Sequence, residues 1–404
     1  MINLLQTPDS VLPLTNGRYP SYGYNIYAVS SSNADQPQFQ YVMDIVQGTT
    51  VLSRFKQYPN PAGVGVFEPS RVINDYLDYD PTWTVVASQA YPGILLPSST
   101  GNYTITGEQT KSFKVVFGEE YGTSPSSSVT MYNGLNPTVP GEPAVSASSG
   151  YWWPGTVDPN NRIGWNYNFP SLLTDRPDNL PLHVQDYYTI TAEPNGGTTT
   201  VTYKNPNGST IGTLSYPQQS TFEIIPVSPR NLPTAIYDGF GSIEISRGGR
   251  TITLLRQEDC NYDRVSFAFI NKYGWWDYYS VNLPQKKTTT ITRESLTRPF
   301  IDYSSRTVPY NPKRRGKDYY NLKYEDKYRV STDWLDQEQA EWLSQMIESP
   351  SVYIQADSSY SYPENSFLPI VITNADYIHN TNARSQKAFQ YEIQYEFANQ
   401  RQAR

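Results

Sequence analysis

The chain has 404 residues, a formal net charge of −7 at pH 7 and a sequence pI near 5.1. This acidic balance argues against a general affinity for nucleic acid or anionic lipid. The single cysteine, Cys260, excludes an intrachain disulfide framework. No apolar run approaches the roughly 18 residues that cross a bilayer, and residues 1–8 lack the basic and apolar parts of a signal peptide. The sequence therefore predicts a chain made in a reducing cytoplasm, with no membrane span.

The composition indicates the structural class. The chain contains 35 Tyr, 8 Trp, 32 Pro and 25 Gly. Tyrosine is favoured on half-buried pleated surfaces and at interfaces, and proline and glycine at this density punctuate short strands. We expect a mainly β protein of several sandwich or barrel modules, with a large contact surface.

Residues 1–122 predict an N-terminal β-sandwich-like domain with a short helix. Strand candidates lie at 22–30, 38–46 and 112–117, and in the second of these apolar residues alternate with more exposed positions. A short helix is predicted just after Pro69 from helical spacing of apolar residues.

Residues 123–180 are rich in Pro, Ser and Gly but also hold many aromatic residues, whereas disordered linkers are poor in aromatics. This segment predicts an extended arm that lies against its own domain or against a neighbouring subunit.

Residues 181–300 predict a central β domain. Glycine turns at Asn195–Gly197 and at Gly248–Gly249 each predict a hairpin. A further turn at 271–274 joins strand candidates at 265–270 and 275–281, and another strand is expected at 288–292.

Residues 301–404 predict a C-terminal β-α-β module. It starts with a polar connector at 300–320, and its first strand is expected at 319–330. The connector holds the basic cluster Lys313–Lys317, which is more typical of a solvated loop or an inter-subunit salt-bridge patch than of a phosphate site. The pattern that follows is strand–helix–strand–strand–strand.

The helix and the last strand of this module have the clearest signals. Asp336 and Gln339 have capping-box spacing at the helix start, and Leu335 and Ala340 have hydrophobic-staple spacing. Trp342 and Leu343 begin an apolar stripe with i,i+4 partners, which we interpret as core packing. In the last strand, alternating apolar residues predict one buried face: Phe389, Tyr391, Ile393, Tyr395 and Phe397.

Catalytic chemistry has few candidates. His183, His379 and Cys260 are too few and too far apart for the usual zinc ligands or a serine triad. The Gly-x-Gly pairs at 63–65 and 239–241 are isolated, so they are weak phosphate signals. We predict no enzyme activity, no catalytic residue, no cofactor and no metal.

Acidic groups were the remaining candidates for a site. Glu119 and Glu120 follow a strand candidate, but a glycosidase needs two carboxyls held across a cleft. Asp75, Asp78 and Asp80 depart from the spacing of a calcium-binding EF-hand. We interpret the aspartates as a solvated helix end, and the glutamates as a chance pair in a chain with 38 acidic residues.

The second half of the chain resembles a known group of proteins. The resemblance lies in these motifs: 271–279 (NKYGWWDYY), 332–335 (TDWL), 341–343 (EWL), 348–353 (ESPSVY), 368–374 (LPIVITN) and 389–401. In this order they resemble structural proteins of tailed phages, especially virion or tail proteins of phages of Bacteroidota, over roughly residues 250–404. The first half fits the same type of protein more loosely.

This resemblance implies a non-enzymatic structural subunit of a virion, made in the bacterial host cytoplasm. It implies a ring-forming tail, baseplate or neck component whose partners are copies of itself and other virion structural proteins. Helix-on-sheet units with exposed strand edges occur in tail-tube and distal-tail rings, and this is an analogy of fold. The residues predicted to be structural or to serve assembly are Trp275, Trp276, Trp334, Leu335, Trp342, Leu343, Phe389, Tyr391, Ile393, Tyr395 and Phe397.

The alternative function is a carbohydrate-binding adhesin or host-recognition protein of the virion, with a host glycan as partner. Trp152, Trp153, Trp275 and Trp276 are the candidates for stacking on sugar rings. However, Trp275 and Trp276 follow a tight turn into a strand, so at least one of them is expected to be buried.

Overall fold

The structure is a computed structural model that describes most of the chain. The described residues are 2–7, 18–20, 25–76, 103–104, 111–122, 130–132, 145–146, 150–153, 171–183, 188–193, 196–218, 223–227, 234–257, 262, 264–297, 317–355, 367–374 and 390–398. The predicted class is confirmed, because the fold is mainly β with several antiparallel sheets and a helix in the C-terminal module.

The elements follow each other in this order. The first strands are β1 (Ile2–Gln6), β2 (Arg18–Pro20), β3 (Tyr27–Ser31), β4 (Gln40–Gln47), β5 (Thr50–Gln57), β6 (Val64–Phe67), β7 (Tyr103–Thr104), β8 (Lys111–Tyr121), β9 (Thr130–Tyr132), β10 (Val145–Ser146), β11 (Gly150–Trp153) and β12 (Leu180–His183). The next are β13 (Thr189–Ala192), β14 (Thr199–Lys204), β15 (Thr210–Tyr216), β16 (Glu223–Pro226), β17 (Ser242–Arg247) and β18 (Arg250–Gln257). The last are β19 (Val265–Ile270), β20 (Trp276–Val281), β21 (Lys286–Thr297), β22 (Lys317–Ser331), β23 (Val352–Gln355), β24 (Phe367–Ile372) and β25 (Glu392–Phe397). The helices are α1 (Ser70–Asn74), α2 (Thr234–Gly239) and α3 (Gln337–Glu348).

The chain divides into two compact units. The first comprises residues 1–180, 187–256 and 270–277, and the second comprises residues 181–186, 257–269 and 278–404. The predicted domain boundary at residue 300 lies between β21 and β22, which pair along most of their length.

Within the described residues, the first unit contains four groups of paired strands. Their orders are β1-β3-β6, β2-β11-β8-β4-β5, β18-β17-β14-β15 and β13-β16-β7, and β9 and β10 also pair with β8. Most of these pairings are antiparallel, whereas β11 runs parallel to β2.

The core of the N-terminal part lies around β3, β4 and β8. Its buried members include Tyr27, Tyr41, Phe113 and Phe117, and Ile73 of α1 belongs to the same cluster. The short helix predicted after Pro69 is therefore confirmed. The predicted alternation in β4 is wrong, because residues 41–46 are all buried. The strand is an inner one, with β5 and β8 on its two sides, and both of its faces are covered.

Of the two hairpins predicted from glycine turns, the one at Gly248–Gly249 is confirmed and the one at Asn195–Gly197 is wrong. Gly248 and Gly249 have φ of 55° and 84° and join β17 to β18, with Arg247 opposite Arg250, as expected for a two-residue turn that needs positive φ. The turn at 195–197 does not join a hairpin. Its flanking strands belong to different sheets, because β13 pairs with β16 while β14 pairs with β15 and β17.

The turn before β20 places Trp275 in the core of the first unit. The Asn271 side chain accepts backbone hydrogen bonds from Tyr273 at 3.0 Å and from Trp275 at 3.1 Å, and its amide donates to the Leu173 carbonyl at 2.9 Å. Trp275 clusters with Leu173 and Ile224. The turn predicted at 271–274 is thus confirmed, and its asparagine ties it to the segment at 171–175.

The Gly-x-Gly pair at 63–65 packs against the side chain of Tyr41. The Tyr41 hydroxyl donates to the Gly63 carbonyl at 2.6 Å. A Cβ on Gly65 would lie 2.5 Å from Tyr41 Cδ2, so the absence of a side chain at this position makes room for the Tyr41 ring. Because Tyr41 is fully buried, the ring has little freedom to move aside.

We expect Gly65→Ala to lower the free energy of unfolding by about 1–3 kcal/mol, since overpacking a filled core forces strain. The measurement is urea or thermal unfolding of the purified chain. The control is Val66→Ala on the same strand, where the side chain is 41% exposed and a change within about 0.5 kcal/mol is expected. Equal stabilities for the Gly65→Ala variant and the parent would contradict this account of Tyr41.

Candidate assembly surface in the C-terminal unit

The helix α3 begins with the predicted capping box. The Asp336 carboxylate accepts the Gln339 backbone N–H at 2.8 Å, and the Asp336 N–H donates to the Gln339 side chain at 3.2 Å. Two of the backbone donors that a helix start leaves unpaired are satisfied in this way. Its buried positions include Ala340, Trp342, Leu343 and Met346, so the predicted stripe is core packing.

Trp342 fixes this helix to the sheet of the second unit. Its ring lies 5.6 Å from that of Phe269 on β19 and 6.0 Å from that of Tyr279 on β20, measured between centroids. The Tyr391 hydroxyl also donates to the Ala340 carbonyl at 3.4 Å. The sheet beneath the helix has seven strands in the order β20-β19-β23-β24-β25-β22-β21.

The last strand shows the predicted alternation. Tyr391, Ile393 and Tyr395 are buried, Phe397 is partly buried, and the residues between them are more exposed. The strand β25 itself starts at Glu392, while Tyr391 is held by Thr332, which exchanges two hydrogen bonds with its backbone at 2.8 and 2.9 Å. Phe389 lies outside the described residues.

Aromatic rings join β25 to β22. The ring of Tyr395 stacks on that of Tyr328 at 5.3 Å, and Phe267 meets Tyr395 edge-on at 5.6 Å. Phe397 meets Tyr328 edge-on at 5.2 Å. The Gln285 amide donates to the Tyr395 hydroxyl. Aromatic pairs of this kind each contribute about 0.5–1.5 kcal/mol beyond the area they bury.

On the N-terminal side of Tyr328, β22 pairs with β21 to form a two-stranded arm. We use the name arm for residues 288–297 together with residues 317–327. The register runs from Thr288 opposite Lys327 to Thr297 opposite Lys317, with a bulge beside Glu294. The pairing with β25 covers only Tyr328–Ser331. Within the described residues, each strand of the arm therefore has the other strand as its only β partner.

Among the described residues of the second unit, β21 is a strand that is exposed along its whole length. Large apolar residues with 41–67% of their surface exposed are Ile291, Leu296, Tyr319, Tyr320 and Tyr324. The sequence did not mark these residues as candidates for a contact surface. It did carry a strand signal, in the alternation of Leu322, Tyr324, Tyr328 and Val330.

Polar contacts hold the base of the arm in register. Asp326 accepts a hydrogen bond from Thr289 at 2.5 Å and forms an ion pair with Lys287 at 2.8 Å. The hydrogen bond to Asp326 raises the pKa of the Lys287 ammonium. Both side chains are partly exposed, so the ion pair contributes little stability and serves mainly to set geometry.

The predicted assembly residues differ in exposure. In the first unit Trp275 and Trp276 are buried. In the second unit Leu335, Trp342, Leu343, Tyr391, Ile393 and Tyr395 are buried, whereas Phe397 is partly buried. Trp334 is the exception at 70% exposed. It is therefore available for contact with another molecule, while the buried residues support the fold of their own unit.

The acidic pair does not form a cleft. Glu119 and Glu120 are consecutive residues of β8 and point to opposite faces. Glu119 is buried and accepts hydrogen bonds from Ser31 and from Asn33, the latter at 2.6 Å. Glu120 forms an ion pair with Lys56 at 2.5 Å. Each carboxylate thus has its own structural partners.

For metal binding and membrane spanning, the structure gives findings on the described residues only. Among them, no group of three or more His, Cys, Asp or Glu side chains is placed to hold a metal ion. Asp75 is the C-cap of α1, whereas Asp78 and Asp80 lie outside the described residues, as do His379, Cys260 and most of the basic cluster at 313–317. No helix in the described part of the chain has the length and apolar character needed to cross a membrane.

Comparison with known proteins identifies no family. No protein-family model and no curated protein matches the chain. Among solved structures, the chain is similar to a "Biofilm associated protein - BSP domain" at 10% identity and a TM-score of 0.14. The alignment covers 82% of this chain and 61% of that one. At this score the similarity carries no argument about fold or function.

We expect Trp342→Ala to lower the free energy of unfolding by about 3–5 kcal/mol, through lost transfer energy and the cavity left between α3 and the sheet. Thermal or urea unfolding followed by tryptophan-independent far-UV circular dichroism measures this. The matched control is Glu341→Ala, which removes an exposed side chain that accepts one hydrogen bond from Gln337. A Trp342→Ala variant as stable as the Glu341→Ala control would show that the helix does not cover the core.

Proposed function

We propose that this protein is a non-enzymatic structural subunit of a phage virion, made in the bacterial host cytoplasm. In this proposal it forms a ring in the tail, baseplate or neck, with copies of itself and other virion structural proteins as partners. The observation that carries the proposal is the arm, an exposed two-stranded ribbon fixed to a well-packed helix-on-sheet module.

An exposed arm supports assembly because, in an isolated monomer, it would gain little stability from burial. Two-stranded ribbons are marginally stable in water without a packed face. Exposed apolar patches of a few hundred Å² often mark interaction sites. Here the apolar residues Ile291, Tyr319 and Tyr324 are 42%, 54% and 41% exposed.

The sequence resemblance adds support from a second direction. It extends over roughly residues 250–404 and so includes β19 to β25, α3 and the arm. Ring-forming subunits use heterologous contacts, in which one surface of each copy meets a different surface of the next. A helix-on-sheet module with a buried core and an arm that is exposed suit such a contact.

We expect the purified chain to form a closed homo-oligomer at micromolar concentration. Multi-angle light scattering gives the mass, to be compared with 45.9 kDa for one chain, and negative-stain electron microscopy shows whether a ring forms. Immunogold labelling of parent particles tests whether the protein is in the virion. A chain that stays monomeric and is absent from virions would refute the proposal.

A carbohydrate-binding adhesin is the second candidate, and Trp334 is the observation that favours it. An indole ring that is 70% exposed offers a face on which a sugar ring can stack. The burial of Trp275 and Trp276 removes two of the four tryptophans first considered for this role. Side chains of Trp152 and Trp153 lie outside the described residues.

The two candidates give opposite results in a glycan-binding assay. Under the structural-subunit proposal, host polysaccharide leaves the intrinsic fluorescence of the chain unchanged, and Trp334→Ala binds host cells as weakly as the parent. Saturable glycan binding that is lost in Trp334→Ala, but kept in the exposed control Glu341→Ala, would favour the adhesin.

We further expect the chain to leave host polysaccharide intact. Glu119 and Glu120 face opposite sides of β8 and cannot flank one glycosidic bond. Reducing-end assays with host polysaccharide measure turnover. Hydrolysis abolished by Glu119→Gln or by Glu120→Gln would overturn this expectation.

A further inference from the structure

We propose that Asn207 is a site of spontaneous covalent modification, at which the asparagine converts to aspartate and isoaspartate through a cyclic imide formed with the backbone nitrogen of Gly208. The inference does not depend on the proposed function, because it rests on the chemistry of one exposed turn. This turn comprises residues 205–209 and joins β14 to β15, whose pairing ends at Lys204 opposite Thr210.

The first asparagine of the turn holds its shape. The Asn205 Oδ1 accepts the backbone N–H of Asn207 at 3.1 Å and that of Ser209 at 2.8 Å. The Asn205 carbonyl accepts the Gly208 N–H at 2.9 Å. Asn205 cannot itself form an imide with the next residue, because Pro206 follows it and a proline nitrogen within a chain carries no hydrogen.

Two other turns show that the first asparagine is a structural residue. The Asn60 Oδ1 accepts the backbone N–H groups two and four residues later at 2.9 and 3.0 Å. The Asn271 Oδ1 does the same at 3.0 and 3.1 Å. These hydrogen bonds match those made by Asn205, so the three turns share one design. Asn207 occupies a different place in that design, the third position, where its side chain has no part in holding the turn.

The surroundings of Asn207 leave its side chain open to reaction. Residues 206–209 are all exposed. The Asn207 side chain makes no hydrogen bond within the part of the chain that the structure describes, and only its backbone N–H is engaged. Gly208 has a φ of 82°, and a Cβ built on it would meet no atom within 4 Å. The Gly208 nitrogen is therefore not shielded by a side chain of its own or by a neighbour.

The reaction needs only water. The Gly208 nitrogen loses its proton to the solvent and attacks the side-chain carbonyl carbon of Asn207, Cγ. The bond from nitrogen to Cγ forms, the bond from Cγ to Nδ2 breaks, and the amide group leaves as ammonia. Water then opens the five-membered imide. Opening at Cγ gives aspartate, and opening at the main-chain carbonyl gives isoaspartate, in which the backbone runs through the side chain. Both products add a negative charge to a turn that has no charged residue.

The fold should slow this reaction only modestly. The Gly208 N–H must leave the Asn205 carbonyl before its nitrogen can attack. The net contribution of one such hydrogen bond changes the population of the reactive state by about twofold to tenfold. We therefore expect the folded chain to react at Asn207 at no less than about a tenth of the rate of the unfolded chain.

Peptide mapping of the full-length chain tests this expectation. The chain is incubated in mildly alkaline buffer, both folded and unfolded in urea, and is then digested with trypsin. The tryptic peptide 205–230 contains Asn205 and Asn207 as its only asparagines. The other Asn-Gly pairs, at 16–17, 133–134 and 195–196, belong to other peptides. Mass spectrometry with fragmentation locates the modified residue and distinguishes aspartate from isoaspartate.

We expect both products at Asn207 and an unchanged Asn205 in the folded and in the unfolded chain. Far-UV circular dichroism before and after incubation shows that the native sample stays folded. A folded chain in which Asn207 is unmodified, or reacts at less than about a tenth of the rate in urea, would overturn the inference. Modification at Asn205 in place of Asn207 would do so as well.

The matched control is Asn207→Ser, which removes the carbon that the Gly208 nitrogen attacks and keeps the backbone N–H that donates to Asn205. We expect the peptide 205–230 of this variant to stay unmodified under the same conditions. Persistent conversion in that peptide would show that the reaction lies elsewhere and would overturn the assignment. Each of these results leaves the proposed function unaffected.

Discussion

The packing of Trp342 between α3 and the sheet is the contact on which the second unit depends. Its two aromatic neighbours, Phe269 and Tyr279, lie on β19 and β20, far earlier in the chain than the strands β23 to β25 that follow the helix. The sheet order places β19 directly beside β23, so residues about 85 positions apart in sequence pair with each other, as Phe267 does with Ile354. Long-range pairing of this kind carries a large loop-closure entropy, and the buried indole helps to offset it.

The pairing of strands distant in sequence also explains why the arm lies between β20 and α3 in the chain. The chain leaves β20, makes β21 and returns as β22 before α3 crosses the sheet. Only the last four residues of β22 are needed to pair with β25, so the rest of the strand adds nothing to the core. The additional length is built from β-branched and aromatic residues, with four threonines between Thr288 and Thr292, which favour an extended conformation without burial.

Local sequence signals predicted what local interactions determine. The capping box at Asp336, the stripe through Trp342 and the alternation from Tyr391 to Phe397 were all readable, because each depends on residues a few positions apart. The hairpin expected at Asn195–Gly197 failed for the complementary reason. A glycine turn signals that the chain reverses, but only tertiary contacts decide which strands then pair.

The arm was missed because the described parts of its two strands lie far apart in the sequence. Residues 298–316 separate β21 from β22, and no short-range signal of the type that marks a two-residue hairpin is present. The strands were therefore predicted separately, at 288–292 and 319–330, and a domain boundary was placed between them. Which apolar residues of the arm share a face is visible only once the register is known, because both strands contribute. Ile291 comes from one strand, whereas Leu322 and Tyr324 come from the other.

The arm is suited to binding because its two strands are already paired with each other over ten residue pairs. Ordering a flexible segment on association costs about 0.5–1.5 kcal/mol for each rotamer-rich side chain, in addition to the backbone. In this chain the backbone is already paired from Thr288 to Thr297, and the base is fixed by the stacked rings of Tyr328 and Tyr395. Tyrosine also loses little side-chain freedom for the area it contributes. A contact made by the arm can then contribute more of its energy to association, because less of that energy is spent on ordering the arm.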